Sequence, residues 1–251
     1  MNGGRPIVVV TGGARRVGRA ICLALGRAGF DVVFTYRTSA AEAETLVAEL
    51  SEIGAGAEAR RLDLDDCEEA EGFGLRLARE SLRLDAIVHN ASIYNPTPLD
   101  RLTKAEALQH YRINALSPLL LTRAAAPLLK QSELPGGAGV VAMCDIHAMG
   151  RPRPRYAAYN MSKASLAEMV RTLARELAPE VRVNGVAPGV VAFPETGEDA
   201  DPEMQRKYLS RVPLERSGEP GDAAEAVRWL VMDARYTTGQ IVRVDGGRWV
   251  T

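Results

Sequence analysis

Short apolar runs and longer amphipathic segments alternate along the whole of this chain. Segments 31–36, 57–62, 85–89, 139–144, 181–187 and 240–244 have the length of strands, and Ile7–Val10 is a short β-branched apolar run with no polar alternation. That pattern marks strands buried on both faces, as in a parallel sheet. Between them, apolar residues recur at helical spacing from Ala20 to about Gly29, over 40–53, 66–82, within 103–130, and over 155–177 and 222–232. Repeated β-α units of this length require right-handed crossovers, which place helices on both faces of one sheet. The expected fold is therefore α/β, a doubly wound parallel sheet of about seven strands. No repeat, low-complexity tract or linker divides residues 1–251, so a single domain is expected.

Two segments interrupt the alternation. Residues 91–102 follow the fourth strand, and residues 190–217, with Pro194, Pro202 and Pro213, follow the sixth. Ligands of open parallel sheets bind beyond the carboxyl ends of the strands, so both segments are candidate walls of a substrate pocket.

Composition narrows the function classes. With 46% hydrophobic and 25% charged residues, a net charge of −1 and scattered Lys and Arg, the chain lacks the basic footprint of a nucleic-acid binder. Cys22, Cys67 and Cys144 are odd in number and show no CxxC spacing, which argues against a disulfide framework or a metal site. A reducing cytoplasm fits. There is no leader pattern, and no apolar run approaches the roughly 18 residues needed to span a bilayer. A soluble, unprocessed protein without a membrane partner is expected.

The first strand runs directly into Thr11-Gly12-Gly13-Ala14-Arg15-Arg16-Val17-Gly18 and then a helix. Such a turn lets backbone approach a pyrophosphate at a helix N-terminus, although glycines also serve tight βα turns for steric reasons alone. The end of the second strand adds to this. An NAD site has an acidic residue there for the ribose 2′-hydroxyl, whereas this chain has Tyr36-Arg37-Thr38-Ser39. Arg37 and Ser39 suit a 2′-phosphate, so NADPH is the expected cofactor; the alternative is a solvated surface Arg37. Asp63 either accepts from the adenine amino group or caps a loop.

Tyr159 and Lys163 lie four residues apart in the 155–177 helix and so project from one face. A free phenol titrates near 10, and a neighbouring cation favours its ionised form. Alone, the pair could equally be a surface contact.

Taken together, Thr11-Gly12 through Gly18, Asn90-Ala91, Asn114, Tyr159-x-x-x-Lys163, Pro188-Gly189 and the ending Gly239-x-x-x-x-Val244-Asp245-Gly246-Gly247 resemble the short-chain dehydrogenase/reductases over essentially the whole chain. The resemblance implies a Rossmann-type fold. It implies that Tyr159 transfers a proton, that Lys163 lowers the tyrosine pKa and holds the nicotinamide ribose, and that Asn114 anchors a water relay. It also sets the cofactor against the first turn at Gly12, Arg15, Arg16, Val17 and Gly18 and against Tyr36, Arg37 and Ser39. Further cofactor contacts fall on Asp63 and Leu64, on Asn90, Ala91 and Ser92, and on Tyr159, Lys163, Pro188 and Gly189. A homotetramer built on helices 103–130 and 155–177 is implied as well.

Two departures sharpen the resemblance. Arg16 stands where the usual turn has Gly, and Asp145 stands where a Ser or Thr is usual. A carboxyl group accepts from amino and ring N–H groups, or gives a proton to an imine nitrogen when burial raises its pKa. The pairing resembles the pteridine reductase branch, which reduces dihydropterins or dihydrofolate with NADPH. Asn90 through Leu99 resembles its substrate loop, with Tyr94 as the aromatic residue that stacks on the pterin; Tyr36 through Ala43 resembles its 2′-phosphate segment, and Arg211-Val212-Pro213-Leu214 its closing loop. Substrate contacts are expected from Arg16, Ser92, Tyr94, Asp145, Tyr159 and Val190.

Asp145 and Tyr159 are 14 positions apart, one more than that branch has, so the intervening loop should bulge. The segment 190–195 resembles the bacterial dihydromonapterin reductases more than the parasite pteridine reductases. His147 is either a second titrating group or simply exposed, and Cys144 should face the sheet interior. The rival readings are a 3-oxoacyl or other carbonyl reductase and, from another class, a dinucleotide-binding sensor without chemistry.

Overall fold

The computed structural model describes residues 4–80, 83–191, 193 and 200–251. Its strands are β1 (Ile7–Val10), β2 (Asp31–Tyr36), β3 (Ala57–Arg61), β4 (Ala86–His89), β5 (Ala138–Met143), β6 (Val181–Pro188) and β7 (Ile241–Val244). They form one sheet in the order β3-β2-β1-β4-β5-β6-β7, parallel throughout. The expected seven-stranded, doubly wound α/β sheet is therefore what the chain forms. The strand order reverses at β1, where Val10 pairs with Phe34 on one side and Val88 on the other. Ligand crevices open at such a switch point.

Helices α1 (Arg16–Arg27), α2 (Ala40–Glu52) and α8 (Pro220–Met232) cover one face. Helices α3 (Cys67–Glu80), α5 (Ser117–Leu129) and α6 (Ala157–Glu176) cover the other. Alternate strand residues feed the two cores: Val9, Val33 and Ile87 enter one, and Val8, Val10, Phe34 and Val88 the other. Each fully buried side chain such as Phe34, Leu46 or Leu50 contributes about 1.5–3 kcal/mol.

Buried charges pin the strands that present the site. Asp85, fully buried, accepts from the Ile7 amide at 2.9 Å, Arg83 Nε at 2.6 Å and Ser132 Oγ at 2.6 Å, which locks the starts of β1 and β4 together. Arg182 on β6 donates to the carbonyls of Gly136, Leu230, Val231 and Ala234 and so satisfies the C-terminal end of α8.

Two elements differ from expectation. The helical region 103–130 is divided into α4 (Lys104–Tyr111), a π-helical turn at Arg112–Leu116, and α5. Thr103 begins it with a capping box, its Oγ1 accepting from the Glu106 amide while Glu106 Oε2 accepts from the Thr103 amide. The excursion after β6 contains α7 (Pro202–Leu209), N-capped by Asp201.

His89, fully buried at the end of β4, lies 2.7 Å from Thr122 Oγ1, which itself donates to the Pro118 carbonyl. The imidazole is thus the donor through Nε2, and Nδ1 is buried with no hydrogen-bond partner. Burial pushes the His89 pKa down to about 3. The unfolded chain binds that proton near pH 6.5, so stability is lost as pH falls from about 6.5 towards 3. Urea unfolding at pH 7 and pH 4.5 should differ by about 2–3 kcal/mol more in the wild type than in His89→Leu.

Candidate active site

The turn from β1 into α1 forms the floor of the crevice. Gly12 has φ +63° and donates its N–H to Thr35 Oγ1, while the Gly13 N–H is held by the Thr35 carbonyl at 2.9 Å. A Cβ on Gly18 would lie 2.1 Å from the Gly12 carbonyl oxygen, a backbone atom that cannot yield, so only glycine fits there. Asn90, just past β4, ties the turn from the other side: its Nδ2 donates to the carbonyls of Thr11 and Gly12 at 3.0 and 2.9 Å. Thr11 Oγ1 accepts from the amides of both Asn90 and Ala91. This leaves a close-approach cradle at a helix N-terminus, which fits a dinucleotide pyrophosphate. Arg16 has φ +51°, the left-handed region a glycine would occupy freely and a non-glycine holds at about 1–3 kcal/mol of strain. Its Nη2 reaches across the crevice to the Phe193 carbonyl at 3.3 Å.

Two clefts share this floor. The smaller, about 230 Å³, is lined by Gly12, Arg15, Tyr36, Arg37, Ser39, Asp63, Leu64 and Ala91 among others. It is where an adenosine and its phosphate would sit. Asp63 Oδ1 accepts from the Asp65 amide at 3.0 Å, so its carboxyl caps the loop while still facing this cleft. Arg15 pairs with Glu42 at 3.6 Å on the surface. The larger cleft, about 1660 Å³, is lined by Arg16, Val17, Asn90, Ser92, Tyr94, Asp145, Tyr159, Lys163, Pro188, Gly189 and Val190. Gly18 and Asn114 line neither cleft; Gly18 sits behind the Gly12 carbonyl.

Asn114 acts from behind the wall. Turned inward by the π turn and fully buried, it donates through Nδ2 to the Ile93 carbonyl at 3.1 Å and Ser162 Oγ at 2.9 Å. Its Oδ1 accepts from the Ile93 amide at 2.9 Å and Ser92 Oγ at 3.1 Å. It therefore clamps the loop after β4 to α6, and with it the position of Ser92 and Tyr94.

The reacting groups meet over β5. Tyr159 donates its hydroxyl to Asp145 Oδ2 at 2.6 Å, and Asp145 Oδ1 accepts from the His147 amide at 2.7 Å. The loop between Asp145 and Tyr159 passes through the 3₁₀ turn Ile146–Met149, with Gly150 at φ +118° and Arg155 at φ +68°. Lys163, fully within the fold, donates to the Met143 carbonyl at 2.7 Å. Here the structure departs from expectation. Burial first, then the Asp145 charge and its hydrogen bond, raise the Tyr159 pKa well above the usual phenol value, and Lys163 does not offset them. The ammonium is turned to a backbone oxygen rather than to the phenol, and burial lowers its own pKa. His147 Nδ1 lies 3.0 Å from the Arg151 carbonyl, in the loop wall. Burial pushes the Cys144 thiol up to about 11; it packs in the core as expected.

Three groups were not read from the sequence. Tyr156 stacks on Tyr94 with ring centroids 4.6 Å apart, and Tyr94 meets Tyr159 edge-on at 4.7 Å. The Tyr156-x-x-Tyr159 spacing was the available signal. Ser162 couples Asn114 to the Tyr159 carbonyl. Tyr208 on α7 lines the cleft, with its pKa raised by burial and, among other charges, by Asp145; Asp201 followed by Pro202 marked the start of its helix.

The family described as Enoyl-(Acyl carrier protein) reductase matches residues 12–248. A 3-oxoacyl-acyl-carrier-protein reductase of Synechocystis sp. is 32% identical over 245 residues, 96% of this chain and 96% of its own. The chain belongs to the short-chain dehydrogenase/reductase family. Two solved relatives carry the same architecture. One is acetoin dehydrogenase YohF of Salmonella typhimurium, 27% identical with a TM-score of 0.86 over 98% of this chain and 97% of its own. The other is a blue fluorescent protein from a metagenomic library in complex with NADPH, 30% identical with a TM-score of 0.87 over 98% of each chain. This short-chain dehydrogenase/reductase is thus an oxidoreductase of a family that binds a nicotinamide dinucleotide. Among its described residues there is no cluster of three or more His, Cys, Asp or Glu able to hold a metal, and no helix long and apolar enough to cross a membrane.

Proposed function

We propose that this protein uses NADPH to reduce a C=N bond in the ring of a dihydropterin or dihydrofolate. The hydrogen bond from Tyr159 to Asp145 at 2.6 Å carries the reading. A ketone oxygen gains from a neutral hydroxyl donor beside the tyrosine; a carboxylate there repels the developing oxyanion and instead accepts from ring and exocyclic N–H groups. A nicotinamide dinucleotide held at the glycine turn would supply the hydride for the ring carbon. Both Asp145 oxygens are acceptors in this arrangement, so the phenol holds the proton destined for the neighbouring nitrogen. Lys163 and Asn114 fix the floor and wall that orient the ring, and Tyr94, backed by Tyr156, offers it an aromatic edge of the cleft.

Arg37 and Ser39 in the smaller cleft support NADPH over NADH. Arg37→Ala should raise KM for NADPH about ten- to hundredfold, the equivalent of the roughly 1.5–3 kcal/mol of a charge-assisted bond, and leave KM for NADH nearly unchanged. Steady-state kinetics with both cofactors checks this.

A second reading is reduction of a 3-oxoacyl thioester. The printed name of the Synechocystis relative speaks for it more directly than for a pterin. Purified protein with NADPH, offered a dihydropterin, dihydrofolate and a 3-oxoacyl thioester in turn, separates the two. Turnover of the heterocycles with a slow thioester reaction is expected; the reverse order sinks the pterin reading. We also propose that copies of the chain associate through α4 and α6, which expose Leu108, Tyr111 and Met161.

A further inference from the structure

The outer rim of the larger cleft has a chemical character that the reacting groups do not use. Of the described side chains lining the cleft, eight are Arg or Lys and two are acidic, in a chain whose net charge is −1. Arg16 and Lys163 belong to the floor. The others come from the loop before α6, from α7 and the turn after it, and from the 3₁₀ turn Arg248–Val250.

Hydrogen bonds gather these segments into one cluster. Arg151 Nη1 donates to the Arg248 carbonyl at 3.0 Å, Thr251 Oγ1 donates to the Arg211 carbonyl at 2.8 Å, and Arg248 Nη1 donates to Thr251 Oγ1 at 3.3 Å. Lys207 stands one turn before Arg211. The Arg248 guanidinium lies 5.5 Å from the Tyr208 ring centre, and its Nε is buried with no hydrogen-bond partner. The ion pairs among the described residues lie elsewhere, and none joins Arg151, Lys207, Arg211 or Arg248 to a described carboxylate.

Like charges drawn together around a partly enclosed cleft repel one another and concentrate anions there. The residues that would hold the cofactor phosphates, at the glycine turn and Arg37, line the smaller cleft instead. A neutral pterin ring needs no such rim. We propose that the rim receives a carboxylate or phosphate on the tail of the substrate, so that the preferred substrate is anionic away from its reacting ring. The ring part of this inference rests on the pterin reading above; the tail part rests on the rim alone.

The test compares kcat/KM for a dihydropterin with a neutral hydroxylated side chain, the same pterin phosphorylated, and dihydrofolate with its glutamyl carboxylates. Each is measured with the wild type and with the Lys207→Gln/Arg211→Gln double variant. Both side chains are exposed, and the backbone bond at Arg211 is kept. The wild type should prefer one charged tail over the neutral one about tenfold or more, and which tail wins tells phosphate from carboxylate. The preference should shrink towards parity in the double variant and with rising salt. A ratio of charged to neutral kcat/KM that is the same in both proteins overturns the proposal. If no pterin is reduced, the ring reading fails by itself. The rim is then judged by calorimetric titration of p-aminobenzoylglutamate and inorganic phosphate into NADP-bound protein. Wild-type binding that the double variant loses supports it, and a wild type that binds neither overturns it.

Discussion

Tyr159→Phe is expected to lower nicotinamide-dependent turnover about 10²- to 10⁴-fold, the range that a positioned general acid contributes. The ring keeps its edge-on contact with Tyr94 at 4.7 Å while the hydroxyl that donates to Asp145 at 2.6 Å is gone. The cofactor cradle at Gly12 and Gly18 is untouched, so NADPH should still raise the melting temperature of the variant. A variant that retains activity within tenfold would show that the proton comes from elsewhere. In the wild type the raised Tyr159 pKa, caused first by burial and then by Asp145, keeps the phenol protonated beyond its usual range. Activity that needs the protonated form is therefore lost only as pH rises through the raised value, and Tyr159 should produce no alkaline limb below about pH 10.

The second large effect is expected at Asp145. Asp145→Ser removes the charge that acts on Tyr159 and restores a hydroxyl where a ketone oxygen would dock. Turnover of a dihydropterin should fall about 10²-fold or more, while reduction of a 3-oxoacyl thioester rises. The pH profile gives an independent reading. Without the carboxylate the Tyr159 pKa falls, so the alkaline limb of the remaining activity moves to lower pH. Unchanged carbonyl activity together with an unmoved limb would show that Asp145 sets neither the substrate class nor the acidity of Tyr159.

The sheet was legible because strands buried on both faces, such as Val8–Val10 and Val140–Ala142, leave short β-branched apolar runs that alternate with longer amphipathic segments. The glycine turn and the Tyr159, Lys163 pair were legible because their chemistry is tied to fixed spacing, and Asn114 only through the family resemblance. What depends on tertiary partners was not. In the π turn at Arg112–Leu116 Asn114 is held by Ile93 and Ser162, bonds that no local pattern encodes. The helix α7 has no fully buried residue and turns only the short apolar edge of Met204, Tyr208 and Leu209 to the cleft, so it reads as an irregular stretch despite its Asp201 cap. Tyr156 reaches Tyr94 only because the Thr97 and Tyr156 backbones pair across the loops. Lys163 was placed on the correct helix face, but its choice of the Met143 carbonyl over the phenol is a matter of ångströms between β5 and α6.

That π turn has a consequence for the shape of the whole wall. One residue more than an α-helical turn requires rotates everything after it by about 100° relative to everything before. Residues 104–111 thereby lean on α6, and residues 117–129 lean on α3. A single continuous rod would have to choose one neighbour. The shift in phase lets one length of chain serve as a gusset between two helices, and the residue at its pivot, Asn114, is the one that clamps the loop after β4 to α6 behind the active site.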